Sequence, residues 1–273
     1  MNILVCFKAV PDFEMMSEDA WNIDSKLNVD MTYVRSILNC FDESALEMTL
    51  RLSDLSESLD IPVKLSALTI AGEKSDVYLK NLYALKFQEG IRIENNEDIR
   101  FFPEVTASVI SRYAKEYGDQ DVLILGRQSS EGDNAKTPLL VSEMLGWPCI
   151  TQVTDIKPDT EKTLRIASMT DEGILTQTVE TPVVISVGNA PVSHLRVPTL
   201  KDKMKYGKTP VKVFNGEEFG IRELMREYSV DYEFVNMEKT DTKREGIIIK
   251  GDTPGEKTRI LYEKYLKERL EKL

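Results

Sequence analysis

The first half of the chain alternates short apolar runs with longer stretches in which apolar residues recur every three or four positions. The short runs are rich in β-branched and aromatic residues, which is typical of strands buried on both faces. They predict strands at Asn2–Phe7, Val63–Ala71, Gly90–Glu94 and Asp121–Gly126. The longer stretches predict helices at 42–59, 74–87 and 103–117. Strands that alternate with helices predict an α/β fold with a doubly wound, mostly parallel sheet.

The pattern changes after Pro148, where short apolar runs follow one another with turn residues between them. The runs "KTLRIAS" and "GILTQTVE" predict an antiparallel hairpin, and "PVVISV" predicts a strand that returns to the core. The segment 191–212 is basic, contains prolines and lacks apolar periodicity, so we expect an irregular, extended arm. We therefore divide the chain into a core at 1–190, this arm at 191–212 and a tail at 213–273.

The tail ends in a predicted amphipathic helix. Thr253 is placed to cap it, and Pro254 suits its first turn. The segment "GDTPGEKT" at this start faintly resembles a phosphate-binding loop, but only three residues separate its glycines, so we interpret it as a helix cap. The apolar face of the helix consists of Ile260, Leu261, Tyr265 and Leu270.

Composition narrows the possible functions. Lys and Arg total 35 against 46 Asp and Glu, a net charge of -11, so no positive field attracts nucleic acid. The N-terminal apolar run is too short for a signal peptide or a transmembrane segment, and we expect a cytoplasmic location. Cys6, Cys40 and Cys149 form no metal or disulfide pattern and are expected to be buried packing residues. The single histidine, His194, is expected in the solvated arm and makes a catalytic triad or a multi-histidine metal site improbable.

The polar stretch that follows the predicted strand at Asp121–Gly126 is the candidate ligand site. In open α/β sheets ligands bind beyond the carboxyl ends of the strands, where the strand order reverses. Gly126 allows a close approach, Gly132 allows a positive φ, and the N–H groups of 134–137 suit phosphate together with Lys136 and Thr137. The alternative is a helix start capped by Asp133 or Asn134 with nothing bound. No G-x-G-x-x-G follows the first strand, so an ordinary dinucleotide fingerprint is absent.

Taken together, the motifs of the chain resemble those of the electron transfer flavoprotein β-subunit family, which includes the FixA-type proteins. The resemblance covers most of the chain in the same order. Its motifs are "ILVCFKAVPD", "NCFDESALE", "LGRQSSEGD", "LGWP", "TPVVISV" and "RVPTL" followed by "KDKMKYGKTPV".

The resemblance implies a heterodimer in which an α-subunit carries the redox-active FAD and the β-subunit performs no bond chemistry. The fold it implies is a Rossmann-like, adenine-nucleotide-binding domain whose own pocket holds AMP or, in electron-bifurcating members, a second FAD. The tail is expected to wrap on the α-subunit. The pocket residues that carry over are Ala9, Asn39, Cys40, Phe41, Asp42, Ile70, Gly126, Arg127, Gln128, Ser129, Ser130, Glu131, Gly132, Asp133, Asn134, Ala135, Lys136 and Thr137.

The resemblance also implies that the arm docks an acyl-CoA dehydrogenase or another flavoprotein dehydrogenase, with Leu200 as its apolar anchor. A single exposed leucine among charges suits a transient complex. The alternative for Leu200 is a minor packing contact. The docking residues that carry over are Arg196, Pro198, Leu200, Lys201, Lys203, Met204 and Lys205.

The chain departs from the family motifs at several positions. Lys136 and Pro138 stand where a glutamine and a glycine are usual, Cys40 replaces a proline, and Glu131 replaces an aspartate. A cation at Lys136 is expected to favour a diphosphate-bearing ligand, a prediction that Lys136→Gln tests through nucleotide content. Two other functions stay open. One is a stand-alone adenine-nucleotide-binding enzyme or ATP-sensing protein, and the other is a β-like scaffold with an empty pocket.

Overall fold

A computed structural model describes residues 1–17, 20–25, 27–229, 235–238 and 246–271. Within these residues a nine-stranded sheet has the order β11-β5-β4-β1-β6-β10-β7-β8-β9, and its first seven strands are mutually parallel. The strands are β1 (Asn2–Cys6), β4 (Lys64–Ala71), β5 (Glu89–Glu94), β6 (Val122–Gly126), β7 (Cys149–Pro158), β8 (Thr163–Thr170), β9 (Gly173–Glu180), β10 (Val183–Val187) and β11 (Lys212–Asn215). The predicted doubly wound α/β fold is confirmed.

Helices cover both faces of the sheet, as the continuous apolar strands require. Residues of α1 and α2 form one core layer with the sheet, and residues of α3, α4 and α6 form the other. The helices are α1 (Cys40–Ser58), α2 (Asp76–Ala84), α3 (Pro103–Glu116), α4 (Thr137–Leu145), α5 (Leu200–Tyr206), α6 (Ile221–Tyr228), α7 (Pro254–Leu261) and α8 (Lys267–Leu270), with a π-helical segment Tyr262–Leu266 between the last two.

Local sequence explains where these helices start and stop. Asn39 precedes α1, whose first turn carries the acids Asp42 and Glu43 that a helix dipole favours. Pro103 occupies the first turn of α3, and Gly146 ends α4 in the left-handed conformation with φ 69°. The predicted cap of the terminal helix is confirmed, since the Thr253 side chain accepts a hydrogen bond from Glu256 N.

The chain order places the reversal of strand order at the centre of the sheet. The chain runs outward from β1 to β4 and β5, then crosses back to β6 on the other side of β1. The chain segments that leave the carboxyl ends of β1 and β6 therefore run in opposite directions and open a crevice between them, which is where open α/β sheets bind ligands.

The second half of the chain extends the sheet beyond the predicted hairpin. The hairpin of β8 and β9 is confirmed, but β7 also pairs with β8, and it was not predicted as a strand. A separate small sheet pairs β2 (Ala9–Pro11) with β3 (Ser36–Leu38). The prediction that 191–212 is irregular was wrong in part, because 200–206 forms α5 behind the cap of Thr199. The division at 190 and 212 stays a prediction.

Exposure also distinguishes the faces of two helices. On α2, Leu79, Leu82 and Tyr83 form the buried stripe, whereas Val77 is 55% exposed. The apolar side chains of the terminal helix are exposed or half-buried in the described structure. None of the described helices is long and apolar enough to cross a membrane.

Candidate functional site

A cavity opens at the crevice between the carboxyl ends of β1 and β6. The start of α1 and the loop before α3 complete its walls. Its lining consists of Cys6, Phe7, Lys8, Asn39, Asp42, Leu68, Ile70, Ile99, Arg100, Pro103, Thr106, Ile110, Leu125, Gly126, Arg127, Gln128, Ser129, Asn134 and Thr137.

The structure brings about half of the sequence-predicted pocket residues to this lining. Those that line the cavity are Asn39, Asp42, Ile70, Gly126, Arg127, Gln128, Ser129, Asn134 and Thr137. Those that do not are Ala9, Cys40, Phe41, Ser130, Glu131, Gly132, Asp133, Ala135 and Lys136. The ligand-binding role of both groups stays a prediction.

Sequence reasoning missed the cavity wall formed by Ile99, Arg100, Pro103 and Thr106. These residues follow β5, whose carboxyl end lies at the same edge of the sheet as those of β1 and β6. The rule that ligands bind at this edge, applied to "GIRIE" as well, could have found them.

The Asp42 carboxylate joins the two strand ends. It accepts hydrogen bonds from Lys8 N at 2.9 Å and from Gly126 N at 2.9 Å. A Cβ at Gly126 would lie 2.3 Å from Asp42 Oδ1 and 2.8 Å from Phe41 Cβ, so only glycine fits. Burial raises the pKa of Asp42 to about 6, against the hydrogen bonds from Lys8, Asn39 and Gly126, which lower it. The carboxylate therefore fixes the geometry of the crevice at an energetic cost.

Asn39 supplies a buried acceptor without a partner. It is 1% exposed, and its Nδ2 donates to Gln128 O at 2.8 Å. Its side chain makes no capping hydrogen bond to α1, although asparagine at this position usually does. Its Oδ1 has no hydrogen-bond partner in the described structure. A buried unpaired oxygen costs roughly 1–3 kcal/mol, and a ligand amino or hydroxyl group would relieve that cost.

Three cations line the cavity, namely Lys8, Arg100 and Arg127. The guanidinium of Arg127 lies 5.1 Å from the centre of the Phe41 ring and donates to Gln128 and Gln152. Lys8 and Arg100 both meet Glu131, at 3.1 Å and 3.7 Å. The cavity thus combines an apolar floor with a cationic rim, which suits the flat base and the phosphates of a nucleotide.

The loop between β6 and α4 has the positive φ that was predicted for Gly132, at 90°. Asp133 and Ala135 also have positive φ values, 41° and 54°. The alternative of a helix start capped by Asp133 or Asn134 was wrong, because α4 starts at Thr137. Asn134 still contributes, since its Oδ1 accepts from Lys136 N at 3.0 Å.

Lys136 lies outside the cavity lining. Its Nζ is 4.0 Å from Glu104 Oε1 on α3, and its side chain is 53% exposed. The expected contact of this lysine with ligand phosphates stays a prediction.

Acidic side chains of α1 bind the arm at Leu195 and Arg196. The Glu47 carboxylate accepts from Arg196 N at 2.9 Å and from the Arg196 guanidinium at 2.9 Å and 3.1 Å. Asp54 accepts a further bond from Arg196 at 2.7 Å, and Glu43 accepts from Leu195 N at 3.0 Å. Burial would raise the pKa of Glu47, but the hydrogen bonds from Arg196 outweigh it and hold that pKa below its ordinary value. Arg196 is thus a fixed tether of the arm.

Beyond this tether the arm exposes apolar side chains among lysines. Leu200 is 75% exposed and Met204 is 72% exposed, both on α5. Lys201, Lys203 and Lys205 lie on the same short helix, which packs against α2. The docking role of Leu200 and the alternative of a minor packing contact both stay predictions.

The cysteines and the histidine form no disulfide and no metal site in the described structure. Cys6 is buried and Cys149 half-buried, and burial raises the pKa of Cys149 to about 11. The expectation that all three are buried was wrong for Cys40, which is exposed on the first turn of α1. His194 is exposed in the arm, as expected. No three His, Cys, Asp or Glu side chains of the described residues are grouped to hold a metal ion.

Comparison with known proteins gives consistent results. Residues 26–218 match the model of the electron transfer flavoprotein domain. The chain is 32% identical to the putative electron transfer flavoprotein subunit YgcR of Escherichia coli K12, over 99% of this chain and 100% of that protein. It is 28% identical to the acryloyl-CoA reductase electron transfer subunit gamma of Anaerotignum propionicum, over 80% and 78% of the two chains. It is also 28% identical to the electron transfer flavoprotein subunit beta of Megasphaera elsdenii, over 75% and 74%.

Proposed function

Because the chain belongs to the electron transfer flavoprotein β-subunit family, we propose that it forms a heterodimer with an α-subunit and binds an adenine nucleotide in the crevice between β1 and β6. The pair passes electrons from a flavoprotein dehydrogenase through its flavin. The β-subunit contributes binding and orientation rather than bond chemistry, and the complex works in the cytoplasm.

The observation that carries the nucleotide assignment is the buried, unpartnered Oδ1 of Asn39 inside a cavity with a cationic rim. A purine base carries amino groups that can donate to such an oxygen, and it fits between apolar walls. Its phosphates would face Lys8, Arg100 and Arg127. Both AMP and the AMP half of FAD have these groups, and a bound FAD would add a redox-active flavin.

The arm supplies the second part of the proposal. Leu200 and Met204 are exposed apolar side chains surrounded by lysines, an arrangement suited to a partner that binds briefly and carries negative charge. We assign this surface to an acyl-CoA dehydrogenase or a similar flavoprotein. The exposed apolar side chains of the tail, such as Ile248 and Leu270, suit the α-subunit as their partner.

The decisive experiment is to co-express the chain with the α-like proteins encoded near it, purify the complex, denature it and identify the released nucleotides by chromatography. One FAD and one AMP per heterodimer indicate a single-flavin carrier, and two FAD indicate an electron-bifurcating type. An α-like partner with no nucleotide in this subunit leaves the scaffold function. A chain that binds neither partner nor nucleotide contradicts the proposal.

A further inference from the structure

The strongest unexplained feature of the cavity is the position of Glu131. Its carboxylate lies between two cations of the lining, with Oε2 at 3.1 Å from Lys8 Nζ and Oε1 at 3.7 Å from Arg100 Nη1. The side chain is 16% exposed, so solvent screens these contacts only in part. Glu131 itself is not among the lining residues. Glu131, which lies outside the lining, thus forms ion pairs with two of the cations that line the cavity, Lys8 and Arg100.

The backbone of the loop fixes this acid in place independently of its charge. Glu131 O accepts from Ser129 Oγ at 2.5 Å and from Lys8 Nζ at 3.3 Å. The next residue, Gly132, has φ 90°, and a Cβ there would lie 2.3 Å from Arg100 O. The loop therefore packs directly against the backbone of Arg100, and this packing does not depend on the Glu131 carboxylate.

A ligand phosphate at this rim needs the same two cations. Phosphate and carboxylate oxygens compete for the same N–H donors, and two anions that share a cation repel each other. Lys8 can turn its flexible side chain towards a phosphate more readily than Arg100, which Asp98 and Asn28 also hold. The competition therefore acts mainly on the phosphates and leaves the base-binding walls unaffected.

We propose that Glu131 competes with the phosphates of the bound nucleotide for Lys8 and Arg100, and so makes the affinity of the cavity depend on the charge of its ligand. This inference rests on the proposed nucleotide site and names a residue that tunes it. Removing the carboxylate charge strengthens binding more for ligands with more phosphate charge. Adenosine, which has the base and no phosphate, is bound equally with and without that charge.

The test compares Glu131→Gln with the unaltered protein by isothermal titration calorimetry, using nucleotide-free complex and the ligands adenosine, AMP and ADP. Glutamine keeps the length of the side chain and the backbone contacts of Glu131. We expect roughly tenfold tighter binding of AMP and a larger gain for ADP, with adenosine changed by less than about twofold. Both gains should shrink at high salt.

Two controls separate this effect from a general change of charge or fold. Glu116→Gln removes the same charge from an ion pair with Arg112 at the far end of α3 and should leave all three affinities unchanged. Glu131→Asp keeps the charge on a shorter side chain, so its affinities for AMP and ADP should lie between those of the unaltered protein and those of Glu131→Gln.

The outcomes distinguish the inference from the proposed function. Equal changes for adenosine and AMP, or no change for any ligand, overturn the role of Glu131 and leave the nucleotide site in place. If neither protein binds any of the three ligands, although circular dichroism shows both to be folded, the proposed site fails and the inference with it.

Discussion

The tether between Arg196 and Glu47 makes a quantitative prediction about the stability of the protein. Arg196→Met keeps most of the length of the side chain and removes its guanidinium. The substitution leaves the Glu47 carboxylate, which is 4% exposed, with only the Arg196 backbone N–H and Arg51 as hydrogen-bond partners among the described residues. It also removes the charged hydrogen bond to Asp54.

The expected cost lies between those of surface and buried ion pairs. Breaking a fully buried pair costs about 3–5 kcal/mol, and an exposed pair contributes about 0–1 kcal/mol. Glu47 is buried but the Arg196 side chain is 38% exposed, so we expect a loss of about 2 kcal/mol. Because the pKa of Glu47 is held low, this contribution is present above pH 4.5, the ordinary value, and is lost as the pH falls through the folded-state pKa.

The assay is urea unfolding at pH 7 and at several lower pH values. The matched control is Arg51→Met, which takes a cation from the same carboxylate, at 3.3 Å, but from an exposed position one helical turn away. We expect it to cost at most about 0.5 kcal/mol. Equal costs for the two variants, or a cost of Arg196→Met that does not decrease as the pH is lowered below 4.5, would refute the reasoning.

Three further predictions concern the cavity and the arm. Gly126→Ala places a Cβ 2.3 Å from Asp42 Oδ1, so it should lower the free energy of unfolding in urea by about 2–3 kcal/mol and reduce the nucleotide content of the purified complex. The control Gly255→Ala, whose Cβ meets nothing within 4 Å, should change neither quantity. The pKa of Asp42 is raised from 3.8 to about 6, so the ionised carboxylate should destabilise the folded state by up to about 3 kcal/mol above pH 6 and not at all below pH 3.8. Asp42→Asn should remove this pH dependence of the free energy of unfolding. An equally steep dependence in the variant would contradict the account. Leu200→Ala should raise the KM for the dehydrogenase partner about tenfold and leave the stability unchanged. The control is Leu139→Ala, because Leu139 is also exposed, at 50%, but lies on α4; it should change neither the KM nor the stability. An unaltered KM for Leu200→Ala would contradict the docking role.

The fold was predictable because hydrophobic periodicity is a local signal. Continuous apolar runs such as Asn2–Cys6 and Val183–Val187, which are short and rich in β-branched residues, predict strands with both faces covered, and their alternation with helices predicts a parallel sheet. Cys149–Pro158 was not predicted as a strand, although its second half alternates buried and exposed residues as a half-buried strand does. Short elements such as α5 carry too few residues for a period to show.

The candidate site was predictable only where a motif marked it. The loop after β6 was found from its glycines, but the wall that carries Arg100 was not, because 95–102 contains no motif and lies at the cavity through tertiary packing. The pairing of Lys136 with Glu104 could not be read from the sequence either, since it depends on how α4 packs against α3. Side-chain partners across elements require the three-dimensional arrangement.

The arrangement of α1 gives a physical reason why distant motifs occur together in this chain. In "NCFDESALE", Asn39 and Asp42 hold the loops at the carboxyl ends of β1 and β6. Glu43, on the same turn, and Glu47, one turn further on, hold the arm at Leu195 and Arg196. One helix therefore fixes both the cavity and the arm, and neither can shift relative to α1 without breaking charged or buried hydrogen bonds. The acids of this motif, the glycine of "LGRQSSEGD" and the arginine of "RVPTL" are consequently parts of one hydrogen-bonded assembly, in which the cavity and the arm share α1 as a common support.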